Sequence, residues 1–321
     1  MECKINFNTQ IIKILPSRLR KIFLTVDIDY MKLYEIRLRV NKPVVINYKN
    51  EECYINNNGL TEKIEGGYVT TLNEIKEVLQ YISNYSMYAY EDEIKQGFIT
   101  VEGGHRVGLA GKVVMEKDKI KNIRNIAFVN IRISHEIIGC ANKILPYIYN
   151  EKNIYHTLIV SPPMSGKTTL LRDIIRSIST GESINKSIKV GVVDERSEIG
   201  ACYNGVPQND LGLNTDILDC CPKSEGMMML IRTMSPSVIA VDEIGTRSDV
   251  EAIEYVINCG CKLLATVHGT SIEDISSKPM LGKLVKEKIF ERYIILDKKS
   301  HVGNIKQIFD SMGNVLYTGG L

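Results

Sequence analysis

The sequence predicts an α/β fold with a mostly parallel sheet, preceded by a smaller α+β domain, and three observations predict it. Four short runs in the second half, His156-Thr157-Leu158-Ile159-Val160, Lys189-Val190-Gly191-Val192-Val193, Ser237-Val238-Ile239-Ala240-Val241 and Lys262-Leu263-Leu264-Ala265-Thr266-Val267, are apolar at successive positions, so both of their faces need cover. Between them lie stretches with helical spacing, over 168–179, 223–234 and 247–258, long enough for crossover connections. The first half instead alternates short strand-like runs with one well-signalled helix. The expected domains are 1–142 and 143–321.

In the first domain, strands over 34–40 and 44–48 flank the turn Asn41-Lys42-Pro43, and Cys53-Tyr54-Ile55 runs into the loop Asn56-Asn57-Asn58-Gly59. Thr71-Leu72-Asn73-Glu74 has the form of a capping box and opens a helix with Ile75, Val78, Leu79 and Ile82 on one face. Phe98-Ile99-Thr100-Val101, the Gly103-Gly104 turn, and runs over 107–114 and 127–133 complete the strand pattern. The segment 143–152 joins the two domains. In the second domain Tyr293-Ile294-Ile295-Leu296 and the alternating tail through Val315-Leu316-Tyr317 are expected to extend the sheet at an edge. The sequence contains no internal repeat and no low-complexity stretch.

Composition excludes several classes. In 321 residues, 44% hydrophobic and 24% charged is the mix of a globular protein rather than a disordered or fibrous one. Forty Lys+Arg against 38 Asp+Glu leave a formal charge of +2, so no bulk field draws the chain onto nucleic acid, and any such contact needs a local patch. No apolar stretch reaches the roughly 18 to 20 residues that span a bilayer, and the first six residues lack a signal-peptide core. A cytoplasmic location is expected. The eight cysteines are read as thiols, because Cys220-Cys221 and Cys259-Gly260-Cys261 do not have the spacing of a structural zinc site.

Chemistry concentrates at strand ends. Pro163-Met164-Ser165-Gly166-Lys167-Thr168-Thr169 follows a strand and opens a helix, where backbone amides point at an anion, Lys167 adds charge and the Thr168 hydroxyl can reach Mg²⁺. The full phosphate-loop pattern has Gly where this chain has Ser161, followed by Pro162-Pro163. Asp242 and Glu243 end a buried strand and suit Mg²⁺ binding and the orienting of an attacking water. Asp194-Glu195-Arg196 and His268-Gly269 end two further strands. Glu195 is read as a second polar group near that water, against a salt bridge to Arg196, and His268 as a sensor of the γ-phosphate.

These four elements, in this order, resemble the secretion ATPase superfamily and, more closely, the stage III sporulation protein AA family. The resemblance rests also on Gly97-Phe98-Ile99-Thr100, Gly103-Gly104-His105-Arg106-Val107-Gly108, Asn130-Ile131-Arg132-Ile133, Val193-Asp194-Glu195-Arg196-Ser197-Glu198, Met234-Ser235-Pro236, Val241-Asp242-Glu243-Ile244-Gly245 and Thr266-Val267-His268-Gly269. It implies a RecA-like P-loop domain that uses ATP and Mg²⁺. It further implies a homo-oligomeric ring, expected to be a hexamer, peripheral to a membrane-embedded sporulation channel on the mother-cell side. In such rings Arg106 or Arg132 of the first domain would reach a neighbour's γ-phosphate, against a reading as salt bridges inside the domain. Arg37 and Arg39 share one strand face and are read as solvated, and Arg18-Leu19-Arg20-Lys21 as the polar face of a helix. Two rival functions stay open: a nucleic-acid translocase on the same core, against which the near-neutral charge argues, and an ATP-gated scaffold with little turnover, for which Ser161 speaks.

Overall fold

The computed structural model describes residues 9–150, 153–182, 186–297 and 303–319. The expectation for the first six residues, and Cys3 with it, lies outside these. Two compact units are formed, Met1–His135 and Glu136–Leu321. The sequence places the boundary a few residues later, at 142. The reason for the difference is packing ahead of 143: Ala141 is buried in a core of the second unit and donates its N–H to Asp173 there at 2.7 Å, and Glu136 accepts the Asp210 N–H at 2.8 Å.

The first unit is built on a seven-stranded antiparallel sheet. Its strands are β1 (Leu33–Arg39), β2 (Val45–Tyr48), β3 (Glu51–Asn56), β4 (Gly59–Thr61), β5 (Phe98–Val101), β6 (His105–Glu116) and β7 (Lys119–Arg132), in the order β4-β3-β2-β1-β7-β6-β5. Alternation decides which face is covered. Ile36 and Leu38 of β1 join Ile46, Val107 and Ile131 in the core, whereas Glu35, Arg37 and Arg39 fall on the opposite face. The helix Leu72–Ile82 covers the core face with Ile75, Val78 and Ile82, and its capping box forms: the Glu74 N–H donates to Thr71 Oγ1 at 3.3 Å and the Thr71 N–H to Glu74 Oε2 at 2.7 Å. Each such aliphatic side chain, once buried, contributes roughly 1.5–3 kcal/mol.

Two features of this unit go beyond the sequence expectation. β4 follows the Asn-rich turn, and the β6–β7 hairpin reaches out to a turn at Lys117 and Asp118, both at positive φ (49° and 60°). On the outer part of β7 the apolar residues Ile120 and Ile123 stand three apart, so there is no apolar alternation to signal a strand. At its bulge, a Cβ on Gly111 would sit 2.6 Å from the Arg124 carbonyl oxygen, so glycine is required there.

The second unit carries an eight-stranded sheet of β8 (Thr157–Ser161), β9 (Val190–Asp194), β10 (Thr215–Asp219), β11 (Val238–Val241), β12 (Lys262–His268), β13 (Arg292–Leu296), β14 (Ile305–Asp310) and β15 (Val315–Thr318). The order is β10-β9-β11-β12-β8-β13-β14-β15; strands β8 to β13 pair in parallel, and β14 and β15 are antiparallel additions at the edge. Successive apolar residues enter opposite cores: Ile159, Val238 and Ala240 lie on one side with the helix Lys167–Thr180, while Leu158, Val160, Ile239 and Val241 lie on the other with the helices Lys223–Met234 and Arg247–Asn258. This two-sided burial accounts for the unbroken apolar runs. β10 went unsignalled because all five of its residues are half-buried and two are Asp. On the border strand β15, Val315 and Leu316 are exposed. Among the described residues no helix is long and apolar enough to cross a membrane, and the seven described cysteines are free thiols.

Candidate functional site

Four adjacent parallel strands deliver their carboxyl ends to one edge in the spatial order β9, β11, β12, β8. Ends of such strands are where an open α/β sheet binds ligands, since no side chain of the next helix covers them. Here they present Asp194, then Asp242 and Glu243, then His268, then the loop from Ser161 to Lys167.

The loop enters the helix Lys167–Thr180 through Met164 at φ 62° and Gly166 at φ 83°, and no side chain caps that helix. The first-turn amides are thus left to an outside acceptor, which at a helix N-terminus is preferably an anion. Ser165 Oγ is buried beside them without a hydrogen-bond partner, and Met164 is fully exposed. Ser161 itself is buried at the end of β8; its hydroxyl donates to the Pro162 carbonyl at 2.7 Å, and its carbonyl accepts the Gly269 N–H at 3.1 Å.

Lys167 reaches back across the loop and is almost wholly buried. Its Nζ forms an ion pair with Glu243 Oε1 and lies 3.2 Å from His268 Nε2, while His268 Nε2 lies 2.9 Å from the same Glu243 oxygen. Arg196 Nη1 approaches the other oxygen, Glu243 Oε2, at 3.1 Å. Burial alone would push the Glu243 carboxyl up, but the Lys167 hydrogen bond and charge, joined by His268 and Arg196, hold it below the ordinary glutamate range.

Beside this cluster Thr168 Oγ1 donates to Asp242 Oδ2 at 2.8 Å. Thr266, fully buried on β12, donates its hydroxyl to Asp242 Oδ1 and accepts the Glu243 N–H at 2.8 Å. Glu243 stands at φ 50°, a left-handed conformation that a non-glycine residue adopts only under constraint. The hydroxyl and carboxylate oxygens of Thr168 and Asp242 are the hard donors that suit Mg²⁺.

Of the residues singled out in the sequence, Lys167, Thr168, Asp242, Glu243 and His268 meet. Pro163, Met164, Ser165, Gly166 and Thr169 lie in the same loop and first helical turn. Glu195 does not bond Arg196; it pairs with Lys223, although it lines the same small cavity as Asp194, Arg196, Glu198, Lys223, Asp242 and Glu243. Asp194 is a clamp: its buried carboxylate accepts the N–H groups of Glu198, Ile199 and Gly200, each at 2.8 Å, and burial raises its pKa to about 6. Arg106 and Arg132 belong to the first unit, where they face each other across β6 and β7, with Arg106 stacked 4.5 Å from the Phe98 ring centroid. Sequence reasoning passed over Thr266 and Arg172. Arg172, on the phosphate-loop helix, donates to the carbonyls of Glu198 and Ile199 at 2.8 Å. A single threonine or arginine gives no pattern to detect, though Thr266 interrupts the apolar run from Leu263 to Val267.

A family model described as "Sporulation stage III, protein AA" matches residues 6–316. The chain is 41% identical over 308 residues to stage III sporulation protein AA of Bacillus subtilis (strain 168), covering 96% of each. Among solved structures, the ATPase DotB of Yersinia pseudotuberculosis superposes with a TM-score of 0.55 at 14% identity, covering 88% of this chain and 76% of that one. The pilus retraction motor PilT with bound ADP superposes with a TM-score of 0.53 at 15% identity, covering 83% and 74%. The fold is that of the secretion-type P-loop ATPases.

Proposed function

The chain belongs to the sporulation stage III protein AA family, and from that premise we propose that it is a Mg²⁺-dependent ATPase of the secretion type that powers or gates a channel between mother cell and forespore. The observation that carries the catalytic part is the meeting of Lys167, Thr168, Asp242, Glu243 and His268 at the carboxyl ends of adjacent strands. In this reading Lys167 and the amides of 163–169 hold the ATP phosphates, Thr168 and Asp242 hold Mg²⁺, and Glu243 orients the attacking water. His268, with Glu195, responds to the γ-phosphate. Bound Mg²⁺ supplies neutralisation of phosphate charge.

The protein works as a homo-oligomeric ring, a hexamer, peripheral to membrane-embedded channel proteins on the cytoplasmic, mother-cell side. In that ring Arg106 or Arg132, register partners on β6 and β7, would reach the γ-phosphate held by an adjacent subunit. The scaffold reading keeps one observation in its favour, the Lys167–Glu243 ion pair, which a nucleotide must break before it is held.

The test compares ATP binding and hydrolysis in the wild type, Lys167→Ala and Glu243→Gln, with and without single-stranded DNA, alongside mass measured with and without an ATP analogue. Lys167→Ala is expected to abolish binding. Glu243→Gln is expected to bind and hardly hydrolyse. Normal affinity in folded Lys167→Ala defeats the assignment, wild-type hydrolysis by Glu243→Gln removes Glu243 from its role, and stimulation by DNA favours the translocase.

A further inference from the structure

We propose that Arg196 is a positioning residue for Glu243, anchoring one carboxylate oxygen so that the other is presented to the attacking water; the inference rests on the ATPase reading above. The contacts at Glu243 are divided between its oxygens. Lys167 and His268 both face Oε1, whereas Arg196 faces Oε2 at 3.1 Å. Lys167 and His268 are the two groups that the reading assigns to phosphate. Once they are so engaged, Oε1 is released and Arg196 is the cation still holding Oε2. Lys223, the other cation lining this cavity, is committed to Glu195.

The loop that carries Arg196 is fixed from two sides. From within, the Asp194 carboxylate gathers the N–H groups of Glu198, Ile199 and Gly200, and Ser197 takes a left-handed conformation at φ 52°. From outside, Arg172 of the phosphate-loop helix donates to the carbonyls of Glu198 and Ile199. The loop therefore shares its frame with the phosphate loop. An arginine side chain 67% exposed contributes little to stability through its ion pair, so its worth lies in placing the carboxylate. Placement matters because displacement of a reacting group by about 1 Å can lower a rate a hundredfold.

The experiment is steady-state ATP hydrolysis by Arg196→Ala, Arg196→Gln and Arg196→Lys, each alone and combined with Glu243→Gln, with folding followed by thermal unfolding. Arg196→Ala and Arg196→Gln should lower kcat by about tenfold to a hundredfold with KM for ATP changed by about threefold or less, and Arg196→Lys should restore part of the loss. In the Glu243→Gln background, Arg196→Ala should change the residual rate by about twofold or less, because its effect passes through Glu243. An equal loss in both backgrounds overturns the proposal, as does a raised KM with kcat retained, which would mean that Arg196 touches the nucleotide. A wild type that binds ATP without hydrolysing it overturns the ATPase reading itself, and that result is visible before any Arg196 variant is made.

Discussion

The hydroxyl of Thr266 donates to the carboxylate of Asp242 on the neighbouring strand. Its oxygen also accepts the Glu243 N–H, so one buried side chain sets both acids, one through its carboxylate and one through its strained backbone. Thr266→Val keeps the branched shape and removes the oxygen, leaving a carboxylate oxygen and an N–H without this partner. A loss of about 1–3 kcal/mol in stability is expected, read from the denaturant midpoint. Hydrolysis should fall by about tenfold or more in protein that still binds ATP. Unchanged turnover would show that the acids keep their places without the hydroxyl.

Ser161→Gly restores the glycine of the phosphate-loop pattern. The serine is well accommodated, buried and bonded to the Pro162 carbonyl, and Pro162 still restricts the chain after the change. Nucleotide affinity is expected to move by about tenfold or less, equal to roughly 1.4 kcal/mol. A much larger gain in a calorimetric titration would mean that the natural loop is impaired, which favours the scaffold.

Acid sensitivity should come from two histidines, one in each unit: His105, fully buried, and His156, half-buried. Burial lowers His105 to about 4, with His135 adding to the shift, and lowers His156 to about 4, with Lys262 adding and Glu291 opposing. Both are held neutral in the fold, so below about 6.5 the unfolded chain takes up protons that the folded chain refuses. Stability is therefore fully present above pH 6.5 and is lost as pH falls toward 4, by at most about 1.4 kcal/mol per pH unit for each histidine. His105→Asn should lower stability at pH 7 yet flatten its decline between pH 6.5 and 4. An equally steep decline in that variant would assign the acid sensitivity elsewhere.

The arginines of β6 and β7 give a test of ring assembly. Lys167→Ala keeps Arg106 and Arg132 but lacks a usable phosphate loop; Arg106→Ala or Arg132→Ala keeps the loop. Mixed rings contain some complete sites, so hydrolysis should partly return on mixing two inactive proteins. No recovery in rings shown to be mixed would make both arginines structural within their own unit.

The parallel sheet and its helices were legible because burial on both faces leaves an unbroken apolar run, as in Leu158-Ile159-Val160. The strand-end residues Lys167, Asp242, Glu243 and His268 were legible because phosphate chemistry needs those types at those ends. Arg172 and Thr266 were not, since their partners are carbonyls, an N–H and a carboxylate brought near only by folding. The Lys223 partner of Glu195 was hidden for the same reason: Arg196, the partner in the alternative reading, is its neighbour in sequence, whereas Lys223 is its neighbour in space. In the hairpin arm 119–125, Ile120 and Ile123 stand three apart, so the two-residue period of a strand is missing.

The apolar border left by β15 bears on how any assembly is measured. Val315 and Leu316 stand exposed on a strand whose Val-Leu-Tyr-Thr sequence holds no charge to discourage annealing. Two copies that join β15 to β15 use up this border on both and close as a dimer, which is favoured by concentration and owes nothing to nucleotide. A ring responds to its ligand, so a Val315→Lys substitution at this border would strip away that dimer and leave the ring's own signal to be weighed.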